Sequence, residues 1–175
     1  MKDTFQSSVF TADMSQTLQE ALIEALHDEY KARATYQLII NKFGNVRPFS
    51  NIVHAEDRHV NALLPLFEKY GFDIPPDDWA SKITIPATLK EASEAGVAAE
   101  IENAEMYDRL LAATTQYPDV QRVLINLQRA SQENHLPAFK RAANRFSDTD
   151  SHQMNPGKSQ GHGRHGHGFR RRFYS

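Results

Sequence analysis

The chain contains no cysteine. Disulfides, iron–sulfur clusters, thiolate zinc sites and a rubredoxin-type module are therefore excluded, and any metal must sit on nitrogen and oxygen. It also lacks an apolar run long enough to span a membrane. The N-terminal MKDTFQSSVFTADMS has no apolar stretch of signal-peptide length, so the expected location is the cytoplasm. Glycine and proline are scarce through residue 146, and 40% of the 175 residues are apolar, which fits one helical domain with a single sizeable core. A strong excess of charge is missing too, the net value being −2, but this average conceals a split. From Ser147 onward Lys158, Arg164, Arg170, Arg171 and Arg172 face only Asp148 and Asp150, while the rest of the chain carries 15 basic and 20 acidic residues. An acidic body does not carry the footprint of a nucleic-acid binder.

What is present is helical periodicity. The first block runs from about Ser15 to Phe43, after an N-terminal extension of residues 1–14. Leu18, Leu22, Ala25, Glu29, Ala32, Tyr36, Ile39 and Phe43 recur at three- and four-residue steps. Thr17-x-x-Glu20 reads as a capping box near its start, and Gly44 stands where a left-handed terminus wants glycine. Pro48 suits the first turn of a second helix through Ile52, Glu56, His59, Leu63, Phe67 and Tyr70, ending at Gly71. Residues 71–87, GFDIPPDDWASKITIPA, hold no sustained period. Fully extended, such a connection reaches about 56–61 Å, whereas a 22-residue helix is about 33 Å long. It is long enough to cross the bundle and start the third helix parallel to the second. Thr88-x-x-Glu91 reads as a capping box for that helix, which continues through Leu89, Ala92, Gly96, Glu100, Ala104, Tyr107 and Leu111. Pro118 opens a fourth block with Val120, Val123 or Leu124, Leu127, Ser131, His135, Phe139 and Phe146 inward, and Pro137 interrupts its backbone ladder.

Polar residues interrupt these apolar rows at one depth. Glu29 and Glu100 each sit in a stripe that should be buried, where a carboxylate needs a metal, a cation or a hydrogen-bond network. Glu56 and His59, three residues apart, point from one helix face about a turn apart, so both can reach one buried ion. Glu29 precedes Tyr36 by seven residues and Glu100 precedes Tyr107 by seven, so each pair shares a face. His135 is the second histidine in an apolar stripe, with Gln132 where a second Glu-x-x-His would place Glu. At about 100° per residue, Glu102, Glu105 and Glu133 point away, and His54 takes an outward or supporting place beside His59.

HDEYKARATY, NIVHAEDRH and EIENAEMYDRL together resemble the first three helices of ferritin-like and rubrerythrin-like four-helix proteins. With NHLPAF in the fourth block, the resemblance is closest to a ferritin-like branch catalogued only as a domain of unknown function, and it spans residues 15–146. It implies an all-α ferritin-like four-helix bundle with one long crossover between helices 2 and 3. It further implies a site of Glu29, Glu56 and His59 for one ion and Glu100 and His135 for another, with Glu56 between them and Gln132 at the place of a missing carboxylate. Two iron ions are expected, manganese and zinc being compatible with the same ligands. The implied activity is that of a di-iron oxidoreductase, ferroxidase or peroxidase in type, with dioxygen or peroxide as partner and a homodimer or higher homo-oligomer as assembly. Tyr36 and Tyr107 would then hydrogen-bond ligands or supply an electron, or serve as core aromatics with satisfied hydroxyls. Gln132 also fits another class of protein, a non-catalytic metal-binding or scaffold bundle with a degenerate site.

The stretch 147–175 is rich in Gly, His and Arg and reads as a disordered tail. His162, His165 and His167 could bind metal loosely, and FRRRFYS suits an acidic protein, a nucleic acid or a membrane surface, with no partner specified. A solvated tail with none of these roles is the alternative.

Overall fold

The computed structural model describes residues 2–153, with side-chain surroundings for residues 16–147. Its elements are α1 (Lys2–Phe43), α2 (Phe49–Tyr70), a short 3-10 turn (Trp79–Ser81), α3 (Leu89–Ala113), α4 (Pro118–Ala130), a π turn (Ser131–His135) and α5 (Leu136–Gln153). The last three follow one another without a break and form the fourth rod of the bundle. No strand occurs among the described residues.

Side-chain contacts set the directions of the rods. Along α1 and α2, Arg33 meets Asp57 and Glu29 meets His59. Along α1 and α3, Tyr36 meets Glu100, Tyr107 meets Glu29 and Arg109 meets Glu24. Numbers rise on one partner as they fall on the other, so α2 and α3 are both antiparallel to α1 and hence parallel to each other. The connection between them is the expected crossover. It is pinned to α1 where Arg33 reaches Asp77 and where Trp79 Nε1 donates to His27 Nδ1 at 3.2 Å. At opposite ends, Lys69 and Tyr70 of α2 bind Asp119, and Arg145 of α5 donates to the Arg47 carbonyl, which sets the fourth rod antiparallel to α2.

The helix ends follow local chemistry. Gly44 and Gly71 adopt φ of 86° and 71°, the left-handed termini that glycine permits without a Cβ penalty. Thr88 Oγ1 accepts from Glu91 N while the Glu91 carboxylate accepts from Thr88 N, a complete capping box. The start of α1 differs from expectation. The helix begins at Lys2, so Thr17 and Glu20 lie within it and do not cap it. At the other end α5 continues to Gln153, past Ser147 where the tail was expected to begin. Residues 154–175, with the histidine run and FRRRFYS, lie outside the described residues.

Two apolar clusters flank the polar layer. One contains Leu18, Leu22, Leu26, Leu63, Phe67, Leu124 and Leu127, and the other Tyr36, Ile39, Phe49, Ile52 and Phe139. Each fully buried Leu, Ile or Phe contributes about 1.5–3 kcal/mol relative to exposure, so apolar packing on both sides fixes the depth of the layer between. Gly96 brings α3 against α5: a Cβ there would lie 2.7–2.9 Å from the Phe139 ring.

Candidate metal centre

The polar layer lies where the inward rows of the four rods meet. Glu29 comes from α1, Glu56 and His59 from α2, Glu100 from α3 and His135 from the end of the π turn. Glu29, Glu56, Glu100 and His135 are each at most 5% exposed. His59 Nδ1 stands 3.0 Å from Glu29 Oε2 and 2.9 Å from Glu56 Oε2. His135 Nδ1 stands 3.4 Å from Glu56 Oε1 and 3.5 Å from Glu100 Oε1. Glu56 therefore sends one oxygen toward each imidazole. The two rings stack with centroids 5.6 Å apart, and Glu56, His59 and His135 bring ligand-capable atoms within 4.8 Å of one another.

The tyrosines brace the layer crosswise. Tyr107 donates to Glu29 Oε1 at 2.6 Å and Tyr36 to Glu100 Oε1 at 3.3 Å, so each phenol on one helix holds the carboxylate of the other. Burial, and then the negative charge of Glu100 for Tyr36 and of Glu29 for Tyr107, pushes both phenols well above their ordinary range and keeps them as O–H donors. Burial also pushes Glu56 well above the carboxylate range, with the Glu29 charge adding to it and the His59 hydrogen bond opposing it. For Glu29 burial works against ionisation, but the hydrogen bond and charge of His59, with the Tyr107 hydroxyl, bring it below its ordinary value. Burial alone would lower His59, but Glu29 and Glu56 raise it to about 10. The imidazole thus acts as the counterion of the metal-free layer.

Gln132 does not join the layer. It is exposed, as are Glu133 and Asn134, whereas Ser131 and His135 are buried. The cause lies in the backbone. Pro137 has no N–H to complete the regular ladder, and the preceding Leu136 N–H donates five residues back to Ser131 O. The extra residue in the turn lowers the rotation per residue below the α-helical 100°. A four-residue step then lies close to a full circle, and a three-residue step falls well short of one. Ser131 accordingly keeps the inward place that the apolar row gave it, while Gln132 loses the ligand place expected of it, and Ser131 Oγ donates to Glu100 Oε2 at 2.6 Å. The expectation that Glu102, Glu105 and His54 face outward holds, since all three are exposed.

A cavity of about 700 Å³ opens between α1, α3 and the crossover and reaches Glu29, Glu56, His59, Glu100 and His135. Its α3 wall is built from small residues, Ala92, Ala95, Gly96 and Ala99, and Trp79 and Lys82 of the crossover line another side. Asp28 and Asn103 form part of the lining and bond to each other, a pair that the sequence alone did not disclose. Burial, and then the charge of Glu29, raises Asp28 to about 7.

Three carboxylates converge here, and among the described residues no Lys or Arg is buried to balance them. Only imidazoles, hydroxyls or a cation can do so. The donor set of three carboxylates and two imidazoles fits a divalent cation of the iron, manganese or zinc kind.

A family model described as "Uncharacterized protein domain (DUF2202)" matches residues 19–153. The chain belongs to this family. The chain is similar to the uncharacterized protein MJ0754 of Methanocaldococcus jannaschii, at 28% identity over 154 residues, covering 80% of this chain and 82% of the relative. The crystal structure of that hypothetical protein superposes with a TM-score of 0.65 at 25% identity, covering 74% of this chain and 81% of the other. A bacterioferritin from Desulfovibrio desulfuricans, whose diiron site was visualised in different catalytic states, gives a TM-score of 0.67 at 18% identity, covering 90% of this chain and 96% of the other. The DUF2202 chain thus has the ferritin-like fold. No helix among the described residues is long and apolar enough to cross a membrane.

Proposed function

We propose that this DUF2202 protein is a ferritin-like metalloprotein that holds iron at the Glu29, Glu56, His59, Glu100 and His135 layer and acts in ferrous iron oxidation or peroxide defence. The observation that carries the reading is Glu56, whose two oxygens face His59 at 2.9 Å and His135 at 3.4 Å, the arrangement of a carboxylate shared between two cation positions. Bound iron would supply redox chemistry toward dioxygen or peroxide.

The chain supplies the rest. Glu29 and Glu100 would help hold the cations, and Tyr107 and Tyr36 orient these carboxylates by hydrogen bonds. The same tyrosines are oxidisable side chains in direct contact with the layer. The cavity between α1, α3 and the crossover is the route for cation and oxidant, and the flanking apolar clusters exclude bulk water from the other sides. Homo-oligomeric assembly belongs to this reading, with exposed Ile101 and Ile125 as apolar contacts on the outer faces of α3 and α4.

Metal content by mass spectrometry tests the reading. The full chain and its Glu56→Ala variant are produced in iron-, manganese- and zinc-supplemented media, so that metal on the tail histidines contributes equally to both. Iron present in the parent and lost in the variant is the expected result. Equal content in the two would leave a bundle without metal chemistry and favour a scaffold.

A further inference from the structure

We propose that Ser131, set into the centre by the π turn, makes the two cation positions unequal: the position at Glu29, Glu56 and His59 binds tightly, and the position at Glu100, Glu56 and His135 binds weakly. The inference rests on the metal-binding reading above and adds to it which residue decides the number of ions held.

The two halves differ in the freedom of their carboxylates. Glu29 accepts a hydroxyl only on Oε1, from Tyr107, and its Oε2 is directed at His59 Nδ1 at 3.0 Å. Glu100 accepts hydroxyls on both oxygens, from Tyr36 on Oε1 at 3.3 Å and from Ser131 on Oε2 at 2.6 Å. A bond that short to a carboxylate is of the charge-assisted kind, so a cation at Glu100 must compete with it. The imidazole distances agree. Both oxygens beside His59 lie within 3.0 Å of its Nδ1, whereas those beside His135 lie at 3.4 and 3.5 Å.

The last helix offers only one inward place beside His135, and the π turn assigns it to Ser131, 3% exposed, while Gln132 is turned to solvent. Ser131 brings a neutral hydroxyl whose single proton is already given to Glu100. A carboxylate in that place would add both a charge and a donor atom to the weak half. A carboxylate at residue 132 would add neither, because the side chain there leaves the bundle.

The test is Mn(II) binding to the full chain, chosen because Mn(II) does not oxidise readily in air. Calorimetric titration is followed by mass spectrometric counting after desalting, with electron paramagnetic resonance to detect a coupled pair. The unaltered chain should keep one Mn(II) through desalting and bind a second at least about tenfold more weakly, the size of effect that partners of metal ligands have. Ser131→Asp should keep two and show the coupled signal. Gln132→Glu should match the unaltered chain. The inference is overturned if the unaltered chain binds two ions with equal affinity, if Gln132→Glu gains a second ion, or if folded Ser131→Asp keeps only one. Should Ser131→Asp not fold, the unaltered chain and the surface variant still decide. No Mn(II) or iron on the unaltered chain beyond that on Glu56→Ala would instead sink the metal reading itself.

Discussion

Two helical turns present histidine to the centre, and they do so by different backbone geometry. In α2 the ladder is regular, so Glu56 and His59 share a face at a three-residue spacing and their side chains meet at 2.9 Å. On the fourth rod the ladder widens between Ser131 and His135, the shared face moves to a four-residue spacing, and the partner of the imidazole changes from Gln132 to Ser131. Both rods carry a proline beyond the histidine, but Pro65 stands six residues past His59 in α2, whereas Pro137 stands only two past His135 and so acts on the turn that presents it. The lesson is that a ligand motif is a statement about rotation per residue, and it transfers between helices only where that rotation is the same.

The two halves of the centre should differ most at the imidazoles. Without metal, His59 holds two buried carboxylates at close range while His135 stands farther from its pair. His59→Ala should therefore destabilise the metal-free protein by about 3–5 kcal/mol, the loss expected when a buried charge is left unpaired. His135→Ala should cost clearly less. Urea unfolding in the presence of chelator checks this, and an equal or larger loss for His135→Ala would contradict it.

The tyrosine braces give the next effect. Tyr107→Phe removes a 2.6 Å bond to Glu29 and should cost about 1.5–3 kcal/mol, the range for hydrogen bonds to charged groups. Tyr36→Phe removes a 3.3 Å bond from Glu100, whose other oxygen keeps Ser131, and should cost less. Thermal melts of the two metal-free variants give the ranking, and the reverse order would count against the account. Gly96→Ala probes the π side alone. Its Cβ would press on Phe139, one turn beyond His135, and should lose about 1–3 kcal/mol by overpacking. Chemical shifts should move at His135 and not at His59.

Far from the centre, Lys69 and Tyr70 hold Asp119 at the end of the bundle. The Lys69 hydrogen bond is the chief cause that takes the Asp119 carboxyl from its ordinary 3.8 to about 2, so the contact stabilises fully above the ordinary value and is lost as pH falls through about 2. Asp119→Asn should cost under about 1 kcal/mol at neutral pH, as exposed ion pairs do, and flatten the acid limb of the stability curve. An unchanged acid limb would remove the contact from the account.

Much of the centre was legible because buried carboxylates are costly and therefore conspicuous. Glu29, Glu56 and Glu100 stood out as misfits in apolar stripes, and all three are buried together as those stripes require. The crossover was legible from length alone. Three features were not. Thr17 and Glu20 have the residues of a capping box, but a cap acts only where the helix starts, and the helix continues back to Lys2. Gln132 was placed by assuming a uniform 100° per residue, which Pro137 upsets five residues on. The proline was visible in the sequence; its effect on the hydrogen bonds upstream was not. The Asp28–Asn103 pair joins residues 75 positions apart, and no local pattern announces it.

The metal reading depends on Glu56 being shared between two cation positions inside the bundle. Anomalous diffraction from crystals of the full chain soaked in Mn(II) tests it most directly. A strong peak within coordination distance of Glu29, Glu56 and His59 and a weaker one beside Glu56, Glu100 and His135 are expected. Ordered manganese only at the surface, with Glu56 still bonded to both imidazoles, would contradict it.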